Sequence, residues 1–406
     1  MPNPRVHRRW AAPALARLAV AAVVGLCVAC SRGAPPPAEP PADHVLRDIR
    51  LFQGDSTLHD VRGLALAPDQ TVWALAGAEP FVHVYSPGGR FTRAFGKKGR
   101  GPGELLNPWS LAGAASADSV LRVWDTATRR LASFSPAGEP AAGVTVRTAG
   151  SAVRGDIRLV SYGEPQKMER LGDGFIVQDD AGGVSQTADF WASRLLRLST
   201  EGAVVGTVVD FREFLAGAPP LGTATVFVPV PLWTTCAGEK LAVLDPLRHR
   251  VRWYGADGRA LAEQAYRPER RPVTDHDVQR YVRHTVELEM RDQNLAARRI
   301  TRLVSRMASQ RRSLFGREAP PAVAILCDHQ GRVWLNRFST ATSPLGYGSD
   351  WHVLDGTERG TVVRFPSRFR PAVLSRDGAY GVHEDGLGVQ TVAFVPFARG
   401  FLAAGR

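Results

Sequence analysis

Residues Ala94–Gly113 read AFGKKGRGPGELLNPWSLAG. Glycines alternate here with Lys97, Lys98, Arg100 and Pro102, so the stretch is either a phosphate cradle or the punctuation of a repeated fold. A phosphate-binding loop needs Gly, four residues, Gly-Lys and then Ser or Thr, set between a strand and a helix. Gly96 is followed at the right distance by Gly101, but Pro102 and Gly103 stand where Lys and Ser or Thr belong. Pro108 and a β run, not a helix, come next. The stretch therefore reads as turn chemistry, in which Gly permits positive φ and Pro102 fixes the bend. Lys97, Lys98 and Arg100 are left near one face of the fold as candidate contacts for an anion or a partner. Solvated loop charge is the plainer reading.

Working outward, SVLRVWDTATRRLASFSPAGE (Ser119–Glu139) shares one grammar with TVWALAGAEPFVHVYSPGGR (Thr71–Arg90) and EKLAVLDPLRHRVRWYGADGR (Glu239–Arg259). A β run leads to a turn often holding Asp, then to a second run ending in Phe or Tyr, then to a Gly turn. Looser copies lie at Gly174–Ala203, Gly331–Gly360 and Gly378–Gly400. Short β runs precede the copies: VRGLALAPD, PWSLAGAAS, LWTTCAGEK, VAILCDHQG, PAVLSRDG and, more weakly, QKMERLGDG. Fourth runs follow most of them, as in FTRAFG, VVGTVVDF, LAEQAY and TVVRFP. Four short strands per unit, repeated, is the layout of a propeller blade. Six units predict an all-β, six-bladed β-propeller. The run HVLRDIRLFQ (His44–Gln53) is expected to close the last blade as its fourth strand, removing a free sheet edge.

The segment GKKGRGPGELLNPWSLA together with SVLRVWDTATRRLASFSPAGE closely resembles an NHL-type repeat: glycine-rich link, Gly-Pro-Gly-Glu, Pro, strand, Val-x-Asp, Arg, Phe, Gly. With its sister units the chain resembles the six-bladed propeller lipoproteins of bacterial envelopes. Most of that group has no established activity, so the resemblance implies a fold and an address more than a reaction.

One segment departs from the repeat. Residues 268–320, between units four and five, are predicted to be helical. Thr274 and Asp277 form a capping box, and Val278, Tyr281, Val282 and Val286, then Leu295, Ile300, Leu303, Val304 and Met307, keep roughly helical spacing. The polar stretch Arg291–Asn294 divides two helices. Arg298, Arg299, Arg302 and Arg306, with Arg311 and Arg312, make the second half strongly basic and a second candidate contact surface. A cap packed against one face of the disc is the plainer reading.

The N-terminus bears on location. Arg5, Arg8 and Arg9 precede an apolar run whose uninterrupted part, Leu18–Ala29, is shorter than the ~20 residues a membrane span needs. It suits a signal-peptide core over residues 1–29. LCVACS resembles a bacterial lipobox, which implies lipidation of Cys30. Residues 30–43, rich in Pro and Ala, then read as an extended tether, and residues 44–400 as the propeller. The implied address is the bacterial cell envelope, on the outer membrane or the periplasmic face.

Composition bounds the rest. The 406 residues are 44% hydrophobic and 22% charged, with a formal net charge of +12. Only four basic residues are Lys, which points to a GC-rich genome; the charge favours anionic surfaces in general and does not argue for nucleic acid. No nucleic-acid partner is expected. The expected partners are a protein or a glycan of the envelope and, through the anchor, the membrane, with the chain a monomer.

Each candidate catalytic group in the sequence also has a structural role open to it. Asp125, Asp179 or Asp180, Asp245, Asn336 and Asp385 recur after the second strand of successive units. A ring of such oxygens on a propeller axis would suit Ca²⁺, as in gluconolactonase-like six-bladed enzymes. A carboxylate in a β-turn more often accepts backbone N–H bonds. His59, His329 and His383 fall in or near different units, without the spacing of the zinc-binding amidating lyases. No Gly-x-Ser-x-Gly frames a serine. Cys236 and Cys327 sit at matching places in the inner strands of units four and five, and two buried free thiols are expected because adjacent inner strands often diverge beyond disulfide reach. Trp109 and Trp233 start inner strands, with inter-blade packing their expected role. The sequence thus favours a non-catalytic binding or scaffolding propeller with no cofactor. Its alternatives are a metal-dependent hydrolase or lyase with an axial site, Ca²⁺ being the candidate ion, and a sensor of an anionic glycan or lipid.

Overall fold

The structure is a computed structural model that describes residues 41–54, 58–112, 120–146, 167–180, 193–216, 224–289, 297–354, 360–398 and 400–402. Cys30, the signal segment and most of the tether lie outside the described residues, as does Arg291–Asn294.

The chain opens with β1 (His44–Val45) and β2 (Arg50–Leu51). Blade one follows as β3 (Val61–Leu66), β4 (Val72–Ala76), β5 (Val82–Tyr85) and β6 (Phe91–Phe95). A link holding the short pair β7 (Lys97–Lys98) and β8 (Glu104–Leu105) leads to blade two: β9 (Pro108–Leu111), β10 (Leu121–Asp125), β11 (Arg130–Phe134) and β12 (Pro140–Thr145). Blade three is β13 (Met168–Leu171), β14 (Gly174–Asp180), β15 (Ser193–Leu198) and β16 (Val204–Asp210). Blade four is β17 (Leu232–Cys236), β18 (Lys240–Asp245), β19 (Arg250–Gly255) and β20 (Ala260–Ala265). Helices α1 (Asp275–Glu289) and α2 (Ala297–Arg311) intervene. Blade five is β21 (Ala324–Cys327), β22 (Val333–Phe338), β23 (Tyr347–Leu354) and β24 (Thr361–Arg364); blade six is β25 (Phe369–Leu374), β26 (Gly378–Glu384) and β27 (Gln390–Pro396). Within each blade the strands β3–β6, β9–β12, β13–β16, β17–β20, β21–β24 and β25–β27 form an antiparallel meander in chain order, and the six-bladed propeller with its helical insertion is as the repeats predict.

Six apolar clusters hold the ring, one at each junction of neighbouring blades. A strand's side chains alternate between two faces, so every blade is covered on both. Leu121, Val123 and Phe134 face blade one, whereas Trp124 and Leu131 of the same strands face blade three. Trp73, Trp334 and Trp351 lie fully buried in such junctions, and Trp233 is buried in the junction of blades three and four, the packing role expected of it.

Closure differs in detail from expectation. Only Arg50–Leu51 forms the fourth strand of blade six, antiparallel to β27. His44–Val45 pairs parallel with β24 and becomes a fifth strand of blade five, and Gln53 bridges to Arg90 of blade one. The leading segment does not serve one blade; it laces three.

The thiol expectation is corrected. Cys236 and Cys327 form a disulfide, with Cα atoms 5.2 Å apart. They are the last residues of the inner strands β17 and β21, which converge at the axis closely enough to be bridged.

Because strands alternate in direction, the turns between second and third strands and the links between blades open on one face, here the link face. The first strands begin there. The insertion is one such link. Its apolar stripe, Val278, Val282, Val286, Val304 and Ala308, is buried in the cluster shared by blades four and five. The capping box forms reciprocally: Thr274 N donates to Asp277 Oδ2 (2.8 Å) and Asp277 N to Thr274 Oγ1 (3.2 Å).

Candidate functional site

The recurrent carboxylates are built into turns. Asp125 is fully buried. Its oxygens accept the N–H groups of Leu106 (2.6 Å), Asn107, Ala127 (3.0 Å) and Thr128. Asp245, equally buried, accepts Leu247 N and Arg248 N and pairs with the Arg248 guanidinium (3.0 Å). Asp179 pairs with Arg194. Asn336 bonds Gly348 and Asp350 on the neighbouring strand. Asp385 lies in an exposed hairpin, where the N–H groups of Val389 and Leu387 hold its carboxyl below the usual range. The Asp180 side chain lies outside the described residues. Among the described residues no three His, Cys, Asp or Glu gather as a metal site.

The histidines do not meet. His59 precedes β3, and His383 is the penultimate residue of β26, both on the link side. His329 follows β21 at the opposite end of the channel.

The glycine-rich link has no cradle to offer. Gly101 N donates to Glu104 Oε2 (2.7 Å), Gly99 N to Leu105 O (3.0 Å) and Lys98 N to Glu79 Oε2 (3.2 Å). Arg130 grips the link from blade two through the carbonyls of Arg100, Gly101 and Glu104. Gly96 and Gly103 have φ of +87° and +73°, and a Cβ on Gly103 would lie 2.4 Å from Pro140, so this is a turn only glycine fits. Lys97, Lys98 and Arg100 are exposed on it and make no ion pair among the described residues.

Arg298, Arg299, Arg302 and Arg306 are exposed on α2, opposite its buried stripe, and also make no ion pair among the described residues. They share the link face with Lys97, Lys98 and Arg100. The insertion packs on blades four and five and the lysine link on blades one and two, so the two groups occupy separate sectors.

The first strands surround an axial cavity of about 1010 Å³. Its link-face mouth carries side chains that the repeat reading did not single out. Arg62 of blade one lies over the Trp109 ring of blade two at 5.3 Å. Lys167, just before β13 of blade three, lies over the Trp233 ring of blade four at 5.0 Å. Arg370 of blade six lies over the Tyr347 ring of blade five at 6.0 Å. Each cation also donates to a carbonyl of the next blade: Arg62 to Pro108 O (2.6 Å), Lys167 to Trp233 O (3.3 Å) and Arg370 to Val61 O (3.1 Å). Such contacts are worth about 0.5–1 kcal/mol each at exposed sites and more when desolvated. Glu169 neutralises Lys167 and is itself held by Thr235 N and Oγ1. Trp233 Nε1 donates to Gln178 Oε1 (2.9 Å). The signal was present in the sequence. Arg62, Trp109, Trp233 and Arg370 are the second residues of their first strands and Lys167 stands just before β13, but only the tryptophans stand out unless the units are superposed.

No helix among the described residues is long and apolar enough to cross a membrane. No family model matches the chain, and no curated protein matches it. Solved structures share the fold. A protein described as exported, from Bacteroides fragilis NCTC 9343, aligns with a TM-score of 0.51 at 10% identity, over 86% of this chain and 94% of its own. A member of the DUF4221 family from Bacteroides vulgatus aligns at a TM-score of 0.47 and 12% identity, over 87% and 97%. Virginiamycin B lyase from Staphylococcus aureus aligns at a TM-score of 0.42 and 9% identity, over 86% and 99%. At such identities the likeness is one of fold alone.

Proposed function

We propose that this chain is an extracytoplasmic β-propeller of NHL type that is lipid-anchored through Cys30 and works by binding, without catalysis. The observation that carries the reading is the role of Asp125 and Asp245. Where an axial enzyme would present metal ligands, these carboxylates hold backbone N–H groups of their own turns. The Cys236–Cys327 disulfide supports an oxidising compartment, in keeping with the lipobox-like LCVACS. The partner is a protein or glycan of the envelope.

The test is elemental analysis of the purified, dialysed full chain. Metal well below one equivalent per chain is expected; a tightly held stoichiometric Ca²⁺ or Zn²⁺ would sink the binding reading in favour of an axial hydrolase or lyase. The anchor is tested separately by fatty-acid labelling, which Cys30→Ser should abolish.

A second reading, recognition of an anionic glycan or lipid, is favoured by one observation. Arg298, Arg299, Arg302 and Arg306 stand on the exposed side of a helix whose apolar stripe is already covered. Their charge is free to face an anionic surface.

A further inference from the structure

We infer that the link-face mouth of the axial channel binds a small amphiphilic organic acid, its acid group held by Arg62 and Arg370 and its apolar body lying in the channel.

Charge comes first. The cavity is lined by Arg62, Lys167, Arg170, Arg370 and Arg376 against two carboxylates, Glu169 and Glu239. Lys167 is neutralised by Glu169 and Arg62 pairs with Asp60, so the charge left unbalanced at the mouth among the described residues is that of Arg370 on blade six. Arg62 and Arg370 sit on neighbouring first strands, and the Arg370 guanidinium reaches the carbonyl of Val61, the residue before Arg62. A guanidinium without an ion pair in a partly enclosed space favours an anion beside it.

Donors come next. Lacing the blades uses part of each guanidinium. Arg62 donates through Nε to Asp60 and through Nη1 to Asn107 and Pro108. Its Nη2 has no partner among the described residues. Arg370 donates only through Nη2 to Val61 O, so its Nε and Nη1 have none there either. A guanidinium fixed by a carbonyl and an aromatic ring, with N–H groups left over, is a preorganised donor for a carboxylate.

The body of the ligand follows from the wall. Behind the mouth the lining turns apolar: Leu64, Leu66, Leu111, Ile325, Val373 and Leu374. Ligand sites are typically clefts of about 300–1,000 Å³ with mostly apolar walls and a few placed polar groups, and this cavity has both the size and the division of labour. A bare inorganic anion would leave that wall unused.

The inference rests on the binding reading but fails separately from it: metal analysis decides one and ligand chemistry the other. The probes are octanoate, octanamide and inorganic phosphate, titrated calorimetrically into the full chain, with phosphatidylglycerol vesicles as the arm for a membrane-borne acid. Octanoate is expected to bind once per chain. Octanamide and phosphate should each bind at least about tenfold more weakly, since one charge-assisted contact or the apolar body is lost. Arg370→Gln should weaken octanoate about tenfold, Arg370→Lys should retain part of the affinity, and Arg302→Gln on α2 should change nothing. In the wild-type chain, octanoate should shield Arg62 and Arg370 from phenylglyoxal while Arg298 and Arg302 stay reactive, which tests the site without relying on a variant to fold. No octanoate binding, equal binding of octanoate and octanamide, binding to vesicles alone, or absence of shielding would each overturn the inference.

Discussion

Cys236 and Cys327, the last residues of the first strands of blades four and five, are bonded across Cα atoms only 5.2 Å apart although 91 residues separate them in the chain. The insertion lies inside that loop. The bond therefore ties two neighbouring blades at the axis where their covalent connection is longest.

Closing so long a loop restricts the unfolded chain, a contribution of about 2–4 kcal/mol in the chain-entropy account. Cys236→Ser/Cys327→Ser should lower the thermal midpoint by several degrees, and a reductant should do the same to the wild type and nothing to the double variant. Peptide mapping without reductant should recover the two cysteines in one cross-linked fragment. Unlinked peptides from the native chain would contradict the bond.

Asp125 should behave as a structural acceptor. Asp125→Ala leaves the buried N–H groups of Leu106, Asn107, Ala127 and Thr128 without their acceptor. A loss of about 3 kcal/mol is expected from several groups at roughly 1–3 kcal/mol each, partly relieved by water. Chemical denaturation measures it. Added Ca²⁺ should shift neither the wild type nor the variant; a large Ca²⁺ shift confined to the wild type would restore the metal assignment.

The insertion should loosen in acid. Burial pushes the Asp277 carboxyl up, but the Thr340 hydroxyl, Thr274 N–H and hydroxyl, and the Arg271 guanidinium outweigh it, so the net shift is downward. A carboxylate with a lowered folded pKa stabilises above its unfolded value of about 3.9, and the stabilisation fades as pH falls through the folded value. Asp277→Asn should therefore cost about 2–3 kcal/mol at pH 7. The gap between variant and wild type should stay constant from about pH 5 to 8 and close below about pH 4. A gap independent of pH would rule this out.

Neutralising the helix arginines should leave stability alone. Arg298→Gln/Arg299→Gln/Arg302→Gln/Arg306→Gln changes only exposed side chains without ion pairs among the described residues, so the denaturation midpoint should move by no more than about 0.5 kcal/mol per site. Retention on a heparin column should fall sharply, with wild-type elution near moderate salt. Unchanged retention would place the anion-binding surface elsewhere.

The blades were legible because each repeats a pattern that local physics enforces: apolar alternation, an Asp in the turn, a glycine where φ is positive. The capping box Thr274–Asp277 was legible for the same reason. Cys236–Cys327 was not, because whether two first strands converge depends on how blades pack around the axis, which no single unit encodes. Arg62 and Arg370 were missed on similar grounds. Each is an ordinary charged residue at the start of a β run, and only the ring brings both to the rim of a common cavity. The segment His44–Gln53 was half legible: its β character is local, but its division among three blades is a property of the rim.

That division has a mechanical consequence. The chain reaches the propeller at its outer edge, first touching blade five through Asp43 and β1. Asp43 N donates to Val362 O and His44–Val45 pairs with the outer strand β24, so the chain enters the described fold along the outermost edge of one blade. A pull applied at Asp43 would first peel the two-residue contact with blade five, which completes no blade, and that contact would act as a fuse ahead of the seam strand Arg50–Leu51.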